Sequence, residues 1–276
     1  MSDVLKWVDR SGGSLGKELE VVKEVGGVPS GKTYPAGTTI ETIISEMLSP
    51  TMNPTLIAPS CSINASLPNM LAVGDNVPSS TITVSLNRGS ISPKYAADEP
   101  YRSGPATGYS LNITGASVDF DESGTGISFT IPSFTRVTKG DVTLTATANY
   151  AKGCQPQNSI GENYGSPLEA GMVSATRKVT FIIPFKYGVV DNKNDVDLNG
   201  MTVDLSTKKD KTYAFTTNNQ YGVIAYDQSH GNLSKIFDQN NFDVTSDWEQ
   251  GVSANYLYYI MKSPTTDSGA EYRFKF

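Results

Sequence analysis

From residue 60 onward, apolar and polar residues alternate with a period of two in short runs separated by turn clusters. Ser60 to Leu67, Thr81 to Asn87, Tyr109 to Ile113, Ser117 to Asp121, Gly126 to Ile131, Asp141 to Tyr150 and Met172 to Ile183 all carry the pattern. A strand built this way turns one face to a core and the other to water. Asn87-Arg88-Gly89-Ser90 and Glu122-Ser123-Gly124 supply turns between the runs. No helical periodicity intervenes, so the runs predict antiparallel sheets packed face to face. Two connections, Ser92 to Thr107 and Ala151 to Gly171, are long enough to carry a specialised surface. Beyond Lys186 the alternation resumes in Lys211 to Thr217, Gln220 to Tyr226, Phe242 to Thr245, Val252 to Met261 and Ala270 to Phe276. Asn232 to Phe237 reads as a helical turn at most.

The first fifty residues follow a different pattern. Ser11-Gly12-Gly13-Ser14 is polar and glycine-rich, Glu18 to Val25 reads as a short strand, and a glycine turn follows. Thr38-Thr39-Ile40-Glu41 has the spelling of a capping box, in which the Thr38 hydroxyl and the Glu41 carboxylate satisfy the first free N–H groups of a helix. Ile40, Ile43, Ile44, Met47 and Leu48 then fall at i, i+3, i+4, i+7 and i+8, one apolar stripe on a helix of about three turns. Such a helix is too short to stand alone in water. Its stripe needs a partner surface, either the chain's own next domain or a neighbouring subunit. The expected fold class is therefore all-β. Residues 1–50 form an extended N-terminal arm with one short amphipathic helix, 51–185 an Ig-like antiparallel β-sandwich, and 186–276 a smaller C-terminal β domain.

Composition narrows the function classes. The 276 residues carry 22 basic and 28 acidic side chains, and charged residues make up 18% of the chain. There is no basic footprint for nucleic acid, and the longest apolar runs are strand-sized, which predicts no membrane span. Met1 to Gly12 carries Asp3, Lys6, Asp9 and Arg10 and no apolar stretch, so it reads as no secretory signal and points to assembly in the cytoplasm of the producing cell. The two cysteines, Cys61 and Cys154, lack ligand spacing and read as buried free thiols.

One stretch spells an enzyme motif. Gly26-Gly27-Val28-Pro29-Ser30-Gly31-Lys32-Thr33 fits the phosphate-binding loop G-x-x-x-x-G-K-T. That loop works only where a helix begins at its Lys-Thr pair. Here Tyr34-Pro35-Ala36-Gly37 follows, and Pro35 drives Tyr34 out of the helical region. Nucleotide binding is not expected.

Other candidate chemistries compete with plainer readings. Asp195-Val196-Asp197-Leu198-Asn199-Gly200 matches the start of a calcium loop, with Asp195, Asp197 and Asn199 as ligands, although Ser206 stands where the closing acid belongs. Asn199-Gly200 also spells a type I′ hairpin turn. His230, the one histidine, lies near Asp227 and Asp238 with no nucleophile elbow beside it. Glu162 and Glu169 are the carboxylates to nominate for glycoside cleavage, and nothing in their spacing marks them. Tyr226, Trp248, Tyr256, Tyr258 and Tyr259 offer either a sugar-binding platform or cross-strand core pairs.

Particular strings carry a resemblance. Val25 to Glu41, with its helix to Leu48, resembles a segment of virion structural proteins from crAss-like and related Bacteroides-infecting phages, where a glycine turn precedes T-x-P-A-G-T and an amphipathic helix. Asn87 to Pro93, Tyr150 to Ser159 and Asn163 to Gly171 are similar to the sandwich of those proteins, with Cys154 replacing a proline and Asn158 an aspartate. Tyr187 to Val189, Gln220 to Tyr226, Gly231 to Leu233, Ile236 to Asp238 and Phe242 to Trp248 are similar to their C-terminal domain, with His230 standing for a tyrosine.

The resemblance implies a non-enzymatic building block of a tail hub, tail fibre or head fibre. It would work without a cofactor, located in the virion and assembled in the host bacterial cytoplasm. The expected partners are further copies of the chain, a trimer being favoured, and other virion proteins. A carbohydrate-binding module at a fibre tip, recognising a host-surface glycan, is the alternative.

Overall fold

A computed structural model describes residues 13–25, 28–48, 51–93 and 99–276. Residues 1–12, with the reading of no secretory signal, lie outside the described residues, as do Gly26 and Gly27 of the motif-like turn. The architecture is all-β, with one α-helix among the described residues.

Three elements open the chain: β1 (Leu19–Glu20), β2 (Thr33–Tyr34) and α1 (Ile40–Leu48). The next group comprises β3 (Thr55–Ile57), β4 (Ser60–Asn64), β5 (Met70–Ala72), β6 (Asn76–Val77), β7 (Ser80–Asn87), β8 (Ser90–Ser92) and β9 (Ala106–Thr114). It continues with β10 (Phe120–Gly124), β11 (Ser128–Ile131), β12 (Phe134–Thr135), β13 (Gly140–Tyr150) and β14 (Gly171–Ile182). The last group runs through β15 (Phe185–Val190), β16 (Thr202–Asp204), β17 (Lys211–Thr216), β18 (Tyr221–Asp227), β19 (Lys235–Asp238), β20 (Trp248–Ser253), β21 (Tyr256–Met261) and β22 (Ser268–Lys275).

Two sheets of the middle group, β10-β9-β13-β14-β5 and β11-β7-β4, meet over one core. The alternation seen in the sequence places every second residue of β13 inward: Val142, Leu144, Ala146 and Ala148 are buried, and the residues between them face out. Ile82 and Val84 of β7 and Phe129 and Ile131 of β11 meet them from the facing sheet. Antiparallel pairing dominates, as expected, but β5 joins β14 in parallel.

In the last group, β16-β15-β18-β21-β20 faces β17-β22-β19. Its central strand β18 is buried on both sides. Ile224 and Tyr226 enter the core shared with Phe215 and Phe274, while Val223 and Ala225 pack with Leu198, Met201 and Ile260. A continuous apolar run, not an alternating one, is what a doubly covered strand requires. Lys139 Nζ, in the turn before β13, reaches Asp227 Oδ2 and Ser229 Oγ at 2.8 Å each and ties the β18 end to the middle group.

Several elements differ from the sequence reading. The turn expected at Glu122-Ser123-Gly124 is the end of β10, paired with β9. Asn232 to Phe237 contains most of β19, because its partner β22 supplies the hydrogen bonds that local propensity does not. Phe242 to Thr245 makes only an isolated bridge, Phe237 to Asp243, and then a 3₁₀ turn. Val252 to Met261 is not one strand but parts of β20 and β21 around a two-residue turn, Ala254-Asn255. Ala254 takes φ 49°, a conformation that an alanine seldom signals.

Two substitutions probe this packing. At Gly89 the backbone takes φ +68° and an added Cβ would lie 2.2 Å from the Ile57 carbonyl oxygen. Gly89→Ala is expected to destabilise the chain by about 2 kcal/mol or more in chemical denaturation. Lys211, almost fully buried, donates to Asp204 Oδ2 at 2.7 Å, which also accepts from the Tyr213 hydroxyl at 2.8 Å. Asp204→Ala leaves the Tyr213 hydroxyl without its acceptor and the Lys211 ammonium with only the Ser206 carbonyl at 3.2 Å, and a loss of about 1–3 kcal/mol is expected in the same measurement.

Candidate functional site

The feature that stands out is the arm. Residues 13–48 close on themselves: the Leu15 N–H donates to the Thr38 carbonyl at 2.8 Å, and the Ile40 N–H to the Gly13 carbonyl at 2.6 Å. The Val21 N–H donates to the Lys32 carbonyl at 2.8 Å, extending the β1–β2 pairing. Leu15, Val28 and Tyr34 are buried inside this small unit, and Leu19, Val21, Ile43 and Met47 pack around them. One half of the α1 stripe thus rests on the arm's own hairpin, not on the middle sheets. For Ile43 and Met47 the partner is therefore the arm itself, neither of the two expected, the chain's next domain or a neighbouring subunit.

The other half is bare. Ile44 is 48% and Leu48 78% exposed, and on the hairpin Val22 is 87% and Val25 43% exposed. Leu19, Val22, Val25 and Val28 of the hairpin, with Ile43 and Met47 from the packed half of α1, line an apolar groove of about 410 Å³ to which Ile44 and Leu48 do not contribute. Ile40, Ile43 and Met47 are half-buried, so among the described residues no side chain of α1 is fully covered. This apolar surface is concentrated in one small unit and edged by Glu20 and Lys23.

Polar contacts fix the helix on its hairpin. Thr39, not Thr38, is the N-cap: its Oγ1 accepts from the Thr42 N–H at 3.1 Å, while the Thr38 hydroxyl donates to the Pro35 carbonyl at 2.8 Å. The helix therefore begins one residue later than the capping-box spelling implied. Glu46 Oε2 accepts from the Lys32 ammonium and, at 2.9 Å, from the Tyr34 hydroxyl. Lys32 hydrogen bonding holds the Glu46 carboxyl below its usual range, and Glu46 raises the Lys32 pKa in turn. Lys32 is thus occupied as a structural clamp. Thr33, its neighbour, begins strand β2 where a phosphate loop requires a helix.

The remaining nominated residues are scattered. Asp195, Asp197 and Gly200 line an open cleft beside β15, but Asp197 Oδ1 accepts from the Asn199 N–H at 2.9 Å in an Asx turn. Among the described residues no three His, Cys, Asp or Glu side chains converge as metal ligands do. Neither Asn199 nor Gly200 takes a positive φ, so the type I′ hairpin is also absent. Residues 191–201 instead form a wide loop between the paired strands β15 and β16.

His230 lies against the rings of Phe185, Tyr226 and Phe276 at 5.5, 6.2 and 5.7 Å. Burial lowers its pKa, and the Asp227 carboxylate accepts from Lys139 and the Ser229 N–H. This is a packed histidine, not a triad member. Glu162 accepts from Asn158 Nδ2 at 3.0 Å, whereas Glu169 pairs with Lys152 at 2.7 Å, so each carboxylate has its own partner. Tyr226, Trp248 and Tyr259 are buried core residues, and Tyr256 and Tyr258 pack against the Val223–Ile260 cluster, so the five do not form an exposed platform. Cys61 and Cys154 are free and half-buried.

The two long connections do come together. Arg88 donates to the carbonyls of Ser103 and Gly104 at 3.1 Å each, Gly104 N–H to the Ala151 carbonyl at 2.9 Å, and Arg102 to the Ser166 carbonyl at 3.0 Å. Backbone carbonyls as acceptors leave no signal in the sequence.

Compared with known proteins, the chain matches no family model and no curated protein. No helix among the described residues is long and apolar enough to cross a membrane.

The Lys32–Glu46 clamp has a pH signature. A carboxyl whose folded pKa is depressed contributes stability that is complete above its unfolded value, 4.5 for glutamate here, and is lost as pH falls through the folded value. Amide exchange in α1 is therefore expected to accelerate, relative to its intrinsic rate, as pH drops below about 4.5. In Glu46→Gln that acceleration should be absent.

Proposed function

We propose that the chain is a non-enzymatic structural protein of a phage virion, of the tail hub or tail fibre type, with a head fibre as the alternative position. It assembles as a symmetric oligomer, a trimer being favoured, through the apolar face of residues 13–48. The observation that carries this reading is the half-covered helix: among the described residues Ile43 and Met47 pack on Leu15, Val28 and Tyr34, while Ile44 and Leu48 are exposed. Covering an aliphatic side chain of this size contributes about 1.5–3 kcal/mol. A symmetric contact repeats that gain in every copy.

The likeness of the Val25 to Leu48 segment to phage virion proteins supports the same reading. In this account residues 1–50 are the arm. The Ig-like sandwich is residues 51–185, residues 186–276 form the C-terminal β domain, and the two supply the body of the assembly. Its place is the virion, assembled in the cytoplasm of the host bacterium, with other virion proteins as neighbours. No reacting group, cofactor or nucleic acid takes part.

Light scattering coupled to size-exclusion chromatography tests it. The full chain is expected to elute with the mass of several copies, and Ile44→Asp with Leu48→Asp to elute with the mass of one, its circular dichroism unchanged. A monomeric wild type, or a doubly substituted chain of unchanged mass, would contradict the assembly role.

A further inference from the structure

A second cavity, unrelated to the arm, opens between the two sheets of the last group. It measures about 410 Å³, a volume within the roughly 300–1,000 Å³ of small-molecule sites. Trp248 at the start of β20 and Met261 at the end of β21 wall it from one sheet. Asp238 and Tyr272, register partners on β19 and β22, wall it from the other. The 3₁₀ turn carrying Asp247 and the link carrying Lys262 and Ser263 complete the rim.

Trp248 is the telling residue. It is only 5% exposed, its ring packing edge-on to Tyr272 and Phe274 at 5.4 and 5.3 Å. Its indole N–H has no acceptor among the described residues, yet it is not among the polar atoms sealed from solvent, such as the Tyr226 hydroxyl. A donor left open to solvent is satisfied by water or by a ligand. This one belongs to a side chain that lines an open cavity.

We propose that this cavity binds a neutral saccharide. Asp238 and Asp247 each use one carboxylate oxygen inside the protein: Asp238 Oδ1 accepts from the Asn240 and Phe242 N–H groups, and Asp247 Oδ1 accepts from the Ser246 hydroxyl. Their second oxygens accept from sugar hydroxyls, while the Trp248 indole N–H and the Tyr272 and Ser263 hydroxyls donate. Burial first, and then the charges of Asp267, Asp238 and Asp247, raise the Tyr272 pKa, so that hydroxyl keeps its proton. The aromatic wall and Val244 meet the apolar face of the ring.

Charge and donor balance exclude the competing ligand classes. Two carboxylates outnumber the one ammonium on the rim, Lys262, which donates to the Ser246 carbonyl at 2.6 Å, so the net charge disfavours an anion. A cationic amine pairs with the carboxylates but leaves the indole N–H and both hydroxyls without acceptors, whereas a polyol satisfies donors and acceptors together. The cavity lies among residues 238–272 and does not depend on the assembly role of the arm.

The test uses the full chain on an array of neutral oligosaccharides built from glucose, galactose, mannose and N-acetylglucosamine, with calorimetry on the best binder. Asp247 is exposed and Tyr272→Phe removes a single oxygen, so neither Asp247→Asn nor Tyr272→Phe is expected to disturb folding. Each should weaken binding at least tenfold, the loss of about one hydrogen bond to a charged or buried group. Tyr164→Phe, on the distant 151–171 connection, should leave it unchanged. No bound saccharide, equal binding by both cavity variants, or tighter binding of 1,5-diaminopentane than of any sugar would overturn the proposal.

Discussion

Among the described residues the hairpin covers only part of the α1 stripe, and the rest of the account follows from that partial cover. A nine-residue helix gains too little from its own hydrogen bonds to persist in water. It holds because Ile43 and Met47 join Leu15, Val28 and Tyr34, and because Glu46 receives hydrogen bonds from Lys32 and Tyr34. These contacts settle which way the helix faces. They also settle which side chains are left over, since a stripe that spans Ile40 to Leu48 cannot be covered from one side alone. Exposed Ile44 and Leu48, with Val22 and Val25, are therefore a consequence of how the arm folds.

The sheets beyond the arm have the opposite character. Their buried positions close into separate apolar clusters, one around Leu144 and Phe181, another around Tyr226 and Phe274. Lys139 and Asp227 link the strands that carry them. The seam holds a packed histidine and a structural ion pair. Single apolar side chains such as Val137, Met172, Phe242 and Val252 stay exposed beyond the arm, whereas the arm gathers Val22, Val25, Ile44 and Leu48 in one small unit.

Much of this was legible in the chain because period-two burial is written directly into the residues. Val142, Leu144, Ala146 and Ala148 announced β13, and Ile40 to Leu48 announced α1. What escaped notice depended on partners distant in sequence. Lys235 to Asp238 is a strand only because β22 lies beside it, and β5 is parallel only because β14 brings its N–H groups and carbonyls there. The β20–β21 turn was hidden by Ala254, which takes a backbone angle usually reserved for glycine or asparagine. The cavity at Trp248 was hidden for a related reason. Asp238, Asp247 and Tyr272 are ordinary residues on separate elements, and only the facing of two sheets makes them neighbours. The apparent phosphate loop was the reverse case, a spelling whose Lys32 serves the arm's own packing.

Electron-microscopic class averages of the purified full chain test the central claim most directly, because they read symmetry itself. The account predicts particles in which several copies surround one rotational axis. Averages showing only isolated single chains would contradict it, since the bare face of α1 would then have no partner and no role in assembly.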